Sequence, residues 1–178
     1  MKPCYLFICL SFVAALFFSP SLIAGTLCSG SENTAITSTT PTVDFDIHAD
    51  GTVTHKPTGL VWMRCSLGQD WDGSTCTGSA ITRNWQGALQ AAQDSNFAGH
   101  NDWRLPNIKE LESIVEERCF SPVINAAVFP QTPSSRFWSS SPGANGSGGA
   151  WHLLFGYGGV NLGSKASNYQ VRLVRGGQ

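Results

Sequence analysis

The sequence predicts a single α+β domain stapled by two disulfides, with two helices in its middle and an antiparallel sheet built from its C-terminal strands. Three observations predict it. Apolar and polar residues alternate before Met63, apolar residues recur at helical spacing after Asn84, and from Phe137 onward short apolar runs return between glycine turns. The chain has 178 residues, a length for one domain with a tail. Charged residues make up 13% of it, about half the usual share for a soluble domain, while glycine (19) and tryptophan (6) are abundant. Such a composition describes a folded, turn-rich module rather than a disordered chain. A net charge of −1 gives no electrostatic reason to bind nucleic acid or an anionic membrane surface.

The N-terminus is expected to lie outside the fold. Lys2, the apolar run Tyr5 to Phe18, the break at Ser19-Pro20-Ser21 and the small residue Ala24 follow the order of a secretory signal peptide, assigned to residues 1–24. The run falls short of the roughly 20 residues that span a bilayer, so the mature form is expected to carry no membrane span. A retained anchor is the alternative. A lipoprotein is disfavoured because Leu27, not a small residue, precedes Cys28. The protein is thus expected to be exported, to the periplasm, the outer surface or the medium. Loss of Lys2 changes the balance to 10 − 12, or −2.

Removal of the leader also removes Cys4 and Cys9, leaving Cys28, Cys65, Cys76 and Cys119. Four cysteines in an exported chain suggest two bridges. The turn formers between Cys65 and Cys76 let that loop fold back, so these two pair and Cys28 pairs with Cys119 by elimination. No Cys-x-x-Cys spacing supports a metal site.

Residues 25–42 are Ser/Thr-rich without apolar periodicity and read as a flexible segment ordered mainly by Cys28; the domain proper is assigned to residues 43–178. Val43 to Ile47 alternates as a half-buried strand does, Asp50-Gly51 is a hairpin turn, Thr52-Val53-Thr54 returns, and Leu60 to Met63 forms the next strand. Trp85, Ala88, Leu89 and Ala92 mark the first helix, capped by Asn84 and stopped by Gly99. The second opens at Asn107, with Glu110 completing a capping box. It carries an apolar stripe of Ile108, Leu111, Ile114 and Val115, with Lys109, Glu112 and Glu116 facing water. Phe137-Trp138, Trp151 to Phe155, Val160 to Leu162 and Tyr169 to Val174 are the C-terminal strands.

Catalytic and cofactor motifs are not found. Asp46, His48, Asp50 and Gly51 imitate an EF-hand loop, but its twelfth position is Pro57 rather than a bidentate Glu. Gly158 to Lys165 has P-loop glycine spacing but ends Ser-Lys, the reverse of the required order. His48, His55, His100 and His152 are scattered, and no nucleophile elbow or His-Glu-x-x-His occurs. No metal or cofactor is therefore expected.

A binding surface is better signalled. Eight of the 21 residues from Gly143 to Gly163 are glycine, which allows close approach of backbone to a ligand or merely serves tight turns. Asn145, Tyr157, Asn161 and Lys165 offer a ring face, amides and a cation there, a set suited to a sugar. Trp138, Trp151 and Phe155 read as core aromatics, whereas Tyr157, between Gly156 and Gly158, reads as exposed. Arg136 or Lys165 would have to supply the local positive charge for a sulfated ligand.

Five stretches carry a family resemblance. They are Asp50 to Thr54 with Thr58 to Trp62, Asp102-Trp103-Arg104-Leu105-Pro106-Asn107-Ile108-Lys109-Glu110-Leu111, Phe137-Trp138-Ser139-Ser140-Ser141, Phe155 to Gly159, and Val171-Arg172-Leu173-Val174-Arg175. Together they resemble the bacterial family typified by the C-terminal domain of the Legionella collagen-like adhesin, over roughly residues 43 to 178. The order also resembles C-type lectin-like and formylglycine-generating folds. The resemblance implies a C-type lectin-like domain whose termini meet in one sheet, and adhesion through sulfated polysaccharides or another surface partner. It makes the signature residues Trp103, Arg104, Leu105, Pro106, Trp138, Arg172 and Arg175 structural, with the two arginines Arg104 and Arg172 bonding backbone or carboxylates inside the fold. An enzyme of the formylglycine-generating type is the competing expectation, and it would need a reactive cysteine or copper.

Overall fold

The computed structural model describes residues 26–144 and 148–176. The expected leader and Asn145 lie outside the described residues. Over the described residues the chain is α+β, with mostly antiparallel sheets, two α-helices and two disulfides. In chain order, β1 (Ser31–Glu32) is followed by β2 (Phe45–Ile47), β3 (Thr52–His55) and β4 (Leu60–Met63). Next come β5 (Asp70–Trp71), β6 (Cys76–Thr77), β7 (Thr82–Arg83), α1 (Trp85–Gln93), α2 (Ile108–Glu112) and β8 (Cys119–Phe120). The C-terminal part holds β9 (Arg136–Pro142), β10 (Gly149–Leu154), β11 (Gly159–Ser164), β12 (Tyr169–Gln170) and β13 (Val174–Arg175).

One sheet runs β13-β4-β3-β2 and another β11-β10-β9-β12-β7. The last predicted strand, Tyr169 to Val174, therefore splits. Its first part pairs with β7 and, in parallel, with β9, while its end crosses to β4. The C-terminal sheet is thus neither wholly C-terminal nor wholly antiparallel, and the final strand joins the N-terminal hairpin.

Consecutive residues point to opposite faces of a strand, so Phe137 and Trp138 enter different cores. Phe137, Leu153 and Phe155 pack with Trp62, Leu111, Ile114 and Phe129. Trp138 and Ala150 pack with Ala88, Ala92, Trp103 and Leu173. The five-stranded sheet is therefore covered on both faces.

Both helices start where expected. Asn84 accepts from the Gly87 N–H, and Asn107 and Glu110 form a complete capping box. Their ends differ. The first helix stops at Gln93, where the Asp94 N–H turns back to Gln90 and Ala92 carbonyls, and Gly99 instead closes a separate 3₁₀ turn, Phe97–Gly99. The second ends at Glu112, yet Ile114 remains fully buried from the turn beyond it.

Glu116 is the clearest correction. It does not face water but is fully buried. Its carboxylate accepts from Ser38 Oγ at 2.6 Å, the Thr40 N–H at 2.8 Å, the Arg118 N–H at 3.0 Å and the Thr39 N–H at 3.1 Å. The helix has already ended, so helical periodicity no longer tells where residue 116 points. Residues 26–42 are consequently held at several places besides Cys28: β1 pairs with β8, Glu116 grips Ser38 to Thr40, and Asn125 Nδ2 donates to the Thr40 carbonyl.

The bridges are Cys28–Cys119 and Cys65–Cys76, the pairing deduced above. The shorter one closes the β5–β6 hairpin, whose Trp71 lies against Gly51 and under the Arg64 guanidinium, 4.1 Å from the ring centroid.

The signature residues knit distant segments together. Arg104 forks onto Glu110 with two bonds of 2.7 Å, and its backbone bridges Val174. Arg175 donates to Asp102 at 2.7 Å. Trp103 and Leu105 are buried, and Trp103 Nε1 donates to the Phe97 carbonyl. Arg172, fully buried, donates to the Met63 and Arg64 carbonyls and to Ser66 and Thr132 hydroxyls. Burial, helped by nearby Arg64, pushes its ionisation down to about 9. At neutral pH it remains a cation, held among the described residues by carbonyl and hydroxyl dipoles and by the faces of Phe129 and Phe137.

Candidate functional site

The hairpin β10–β11 and its turn shape the most distinctive surface. Phe155 is locked inside by an edge-on contact with Phe137 at 5.0 Å, and Gly158 takes the left-handed backbone (φ 81°) that closes the turn. Between them Tyr157 is thrown outward and is 59% exposed. Its ring lies where a side chain on Gly159 would be.

Register then assembles the neighbours. Asn161 stands opposite His152, and His152 opposite Trp138, in a row across three strands. Arg136 lies two residues before Trp138, on the same face of β9. Tyr169 leans on this row, its ring 4.3 Å from Trp138 and 4.7 Å from His152, with the Arg136 guanidinium 5.7 Å from its centroid. Gly163 makes room for this: a Cβ there would sit 2.8 Å from the Tyr169 ring and 3.0 Å from His152 Nδ1. The result is a polar hollow of about 330 Å³ lined by Arg136, His152, Tyr157, Asn161, Leu162 and Tyr169.

Tyr157 also borders a second, larger groove of about 550 Å³, with Ile36, Val115, Phe120 and Val123 on its walls and the Glu32–Arg118 ion pair beside it. Tyr157 therefore stands on the ridge between a polar hollow and a more apolar groove.

Of the four residues expected to bind ligand, the fold brings Tyr157 and Asn161 together. Lys165 goes elsewhere: its ammonium sits 4.4 Å over the Trp85 ring. The cation of the hollow is instead Arg136. Trp138 and Phe155 are fully buried, while Trp151 retains 36% exposure.

Nothing local in the sequence marks His152 or Tyr169 as part of this site. The alternation Arg136-Phe137-Trp138 hints that Arg136 shares a face with Trp138, but only strand register adds His152, and only the crossing of β12 adds Tyr169. Burial, and then Arg136, hold the His152 imidazole below its ordinary range, so it is neutral at pH 7. His55, stacked on Phe45 at 4.7 Å, is likewise lowered by burial, against the opposing charge of Asp44.

Among the described residues no group of three or more His, Cys, Asp or Glu is placed to hold a metal ion, and no helix is long and apolar enough to cross a membrane. The family model of the Lcl C-terminal domain matches residues 51–175, most of the chain, so the chain belongs to that family. No curated protein matches it significantly.

Proposed function

We propose that this member of the Lcl C-terminal domain family is an exported, noncatalytic, adhesin-like module that binds a polysaccharide or another surface partner at the ridge formed by Tyr157. The observation that carries the reading is the exposed Tyr157 ring beside the Asn161 amide and the Arg136 guanidinium. A ring face stacks on the apolar face of a sugar, amides match its hydroxyls, and a guanidinium takes an acidic substituent in planar, bidentate fashion. Two disulfides fit an oxidising compartment outside the cytoplasm.

A C-type lectin-like fold belongs to the same proposal. It is supported by the meeting of β13 with the β2–β4 hairpin region in one sheet and by the ligand-sized hollow at the loops around the last strands. The enzyme alternative draws no support from the cysteines, since all four mature ones are paired.

A glycan array probed with the oxidised protein tests the reading. We expect binding that Tyr157→Ala and Asn161→Ala each weaken by at least fivefold. Binding no better than that of a reduced, unfolded control, or binding indifferent to both substitutions, would move the function to another surface.

A further inference from the structure

The hollow beside Tyr157 contains more than a neutral sugar requires. Its hydrogen-bonding side chains are Arg136, His152, Asn161, Tyr157 and Tyr169, and no carboxylate lines it. Arg136 is exposed and makes no ion pair among the described residues. His152 is only 3% exposed, and its Nδ1 is buried with no hydrogen-bond partner. That nitrogen lies under β11, 3.0 Å from where a Cβ on Gly163 would sit, on a residue that lines the hollow. A buried ring nitrogen without a partner calls for an explanation, and a proton taken up when an anion docks beside Arg136 is one.

We propose that Arg136 and His152 together form an acid-strengthened oxyanion site, in which Arg136 holds a sulfate or carboxylate group of the glycan and His152 takes up a proton as that group docks. The proposal rests on the glycan reading for the identity of the ligand and adds how its binding is regulated. The groups facing His152 are Arg136 and Trp138 from β9, Asn161 from β11, Tyr169 from β12 and Tyr157 from the turn. Arg136 is the one permanently charged group among them. Without a ligand, burial and the Arg136 charge keep the ring neutral. A docked oxyanion cancels that repulsion and supplies an acceptor beside a ring otherwise packed against Tyr169 and Trp138. The bound state therefore holds a proton that the free state does not, and affinity rises as pH falls through that interval.

Titration calorimetry of the oxidised protein with dextran sulfate, alginate and neutral dextran tests this at pH 5.5, 6.5 and 7.5 and constant ionic strength. Uptake of one proton tightens binding by at most about tenfold per pH unit. We expect roughly a tenfold gain between pH 7.5 and 5.5 for dextran sulfate or alginate, whichever oxyanion fits, and none for dextran. His152→Gln should lose the gain, its affinity changing by less than about twofold between pH 7.5 and 5.5 whatever its value at pH 7.5. General changes in protein charge are common to both proteins, so equal pH slopes would overturn the proposal.

A second measurement does not depend on the variant folding or on a sugar. The His152 ring, assigned by NMR in the wild-type protein, should titrate at higher pH in sodium sulfate than in sodium chloride of equal ionic strength. No difference would also overturn the oxyanion site. A clear difference without binding of either acidic polymer would leave the oxyanion site standing and remove the glycan reading.

Discussion

Replacing Glu116 by glutamine keeps the side-chain shape but removes the charge at the point where the N-terminal segment is gripped. One carboxylate oxygen accepts from Ser38 and from both the N–H and the hydroxyl of Thr40, and the other accepts from the Thr39 and Arg118 N–H groups. An amide must place its NH₂ at one of these positions. The less costly choice faces the Thr39 and Arg118 donors and leaves two backbone N–H groups without an acceptor. At about 1–3 kcal/mol for each orphaned donor, discounted because Thr39 is near solvent, the loss is about 2–4 kcal/mol. Chemical denaturation at pH 7 measures it, and hydrogen exchange should show the Thr39 and Arg118 amides exchanging faster. The pH dependence supplies a second check. Burial opposes ionisation of Glu116, but the hydrogen bonds from Ser38, Thr40, Arg118 and Thr39 outweigh it and hold the carboxyl below its ordinary value. Its stabilisation is present above the unfolded-state value near 4.3 and is lost as pH falls through the lower folded-state value, so the gap between wild type and variant should close in acid. A difference under about 1 kcal/mol at pH 7 with unchanged exchange at Thr39 and Arg118 would refute the grip assigned to Glu116.

Arg172→Lys should cost about 3 kcal/mol in denaturant midpoint experiments, because one ammonium cannot reach the Met63 and Arg64 carbonyls and the Thr132 hydroxyl in the guanidinium's planar arrangement; a near-neutral result would mean these dipoles are satisfied without it. Tyr157→Ala should change stability by less than about 1 kcal/mol, since the ring is exposed, and a larger thermal shift would show that it braces the turn over Gly159. Removing the Cys65–Cys76 bridge with paired serines should cost about 3 kcal/mol by loop-closure entropy, read as a lower melting temperature, whereas an unchanged melting temperature would mean that Trp71 packing on Gly51 and Arg64 fixes the hairpin alone. Gly163→Ala should displace Tyr169 from His152 and weaken ligand binding more than it weakens the fold; unaltered binding would detach Tyr169 from the site.

Features that act within a few residues were legible in the sequence. Both helix starts depend on a side chain reaching an N–H three residues on, so Asn84 and the Asn107–Glu110 pair announced themselves. The Cys65–Cys76 loop is short and turn-rich, and its closure left one partner for Cys28. Tyr157 could be read as exposed because glycines flank it on both sides. The helix ends were less legible, since Asp94 ended α1 by a local backbone turn while Gly99, a stronger stop signal, served another turn.

The fold class, the bridges, the caps and the outward ring can be read along the chain, because each follows from spacing, local hydrogen bonding or the entropy of a short loop. Long-range pairing alone decided the burial of Glu116, whose donors Ser38, Thr39 and Thr40 lie 76 and more residues away, and the division of the last run between two sheets. It also decided the composition of the hollow. Strand pairing turns separations of tens of residues into contacts of a few ångströms, and a shift of one residue in register would send His152 and Asn161 to the opposite face. Arg136, His152, Asn161 and Tyr169 therefore became neighbours only through the pairing of β9 with β10, β11 beyond it and β12 alongside, while Lys165, nearer to Asn161 in sequence, was drawn away by the face of Trp85.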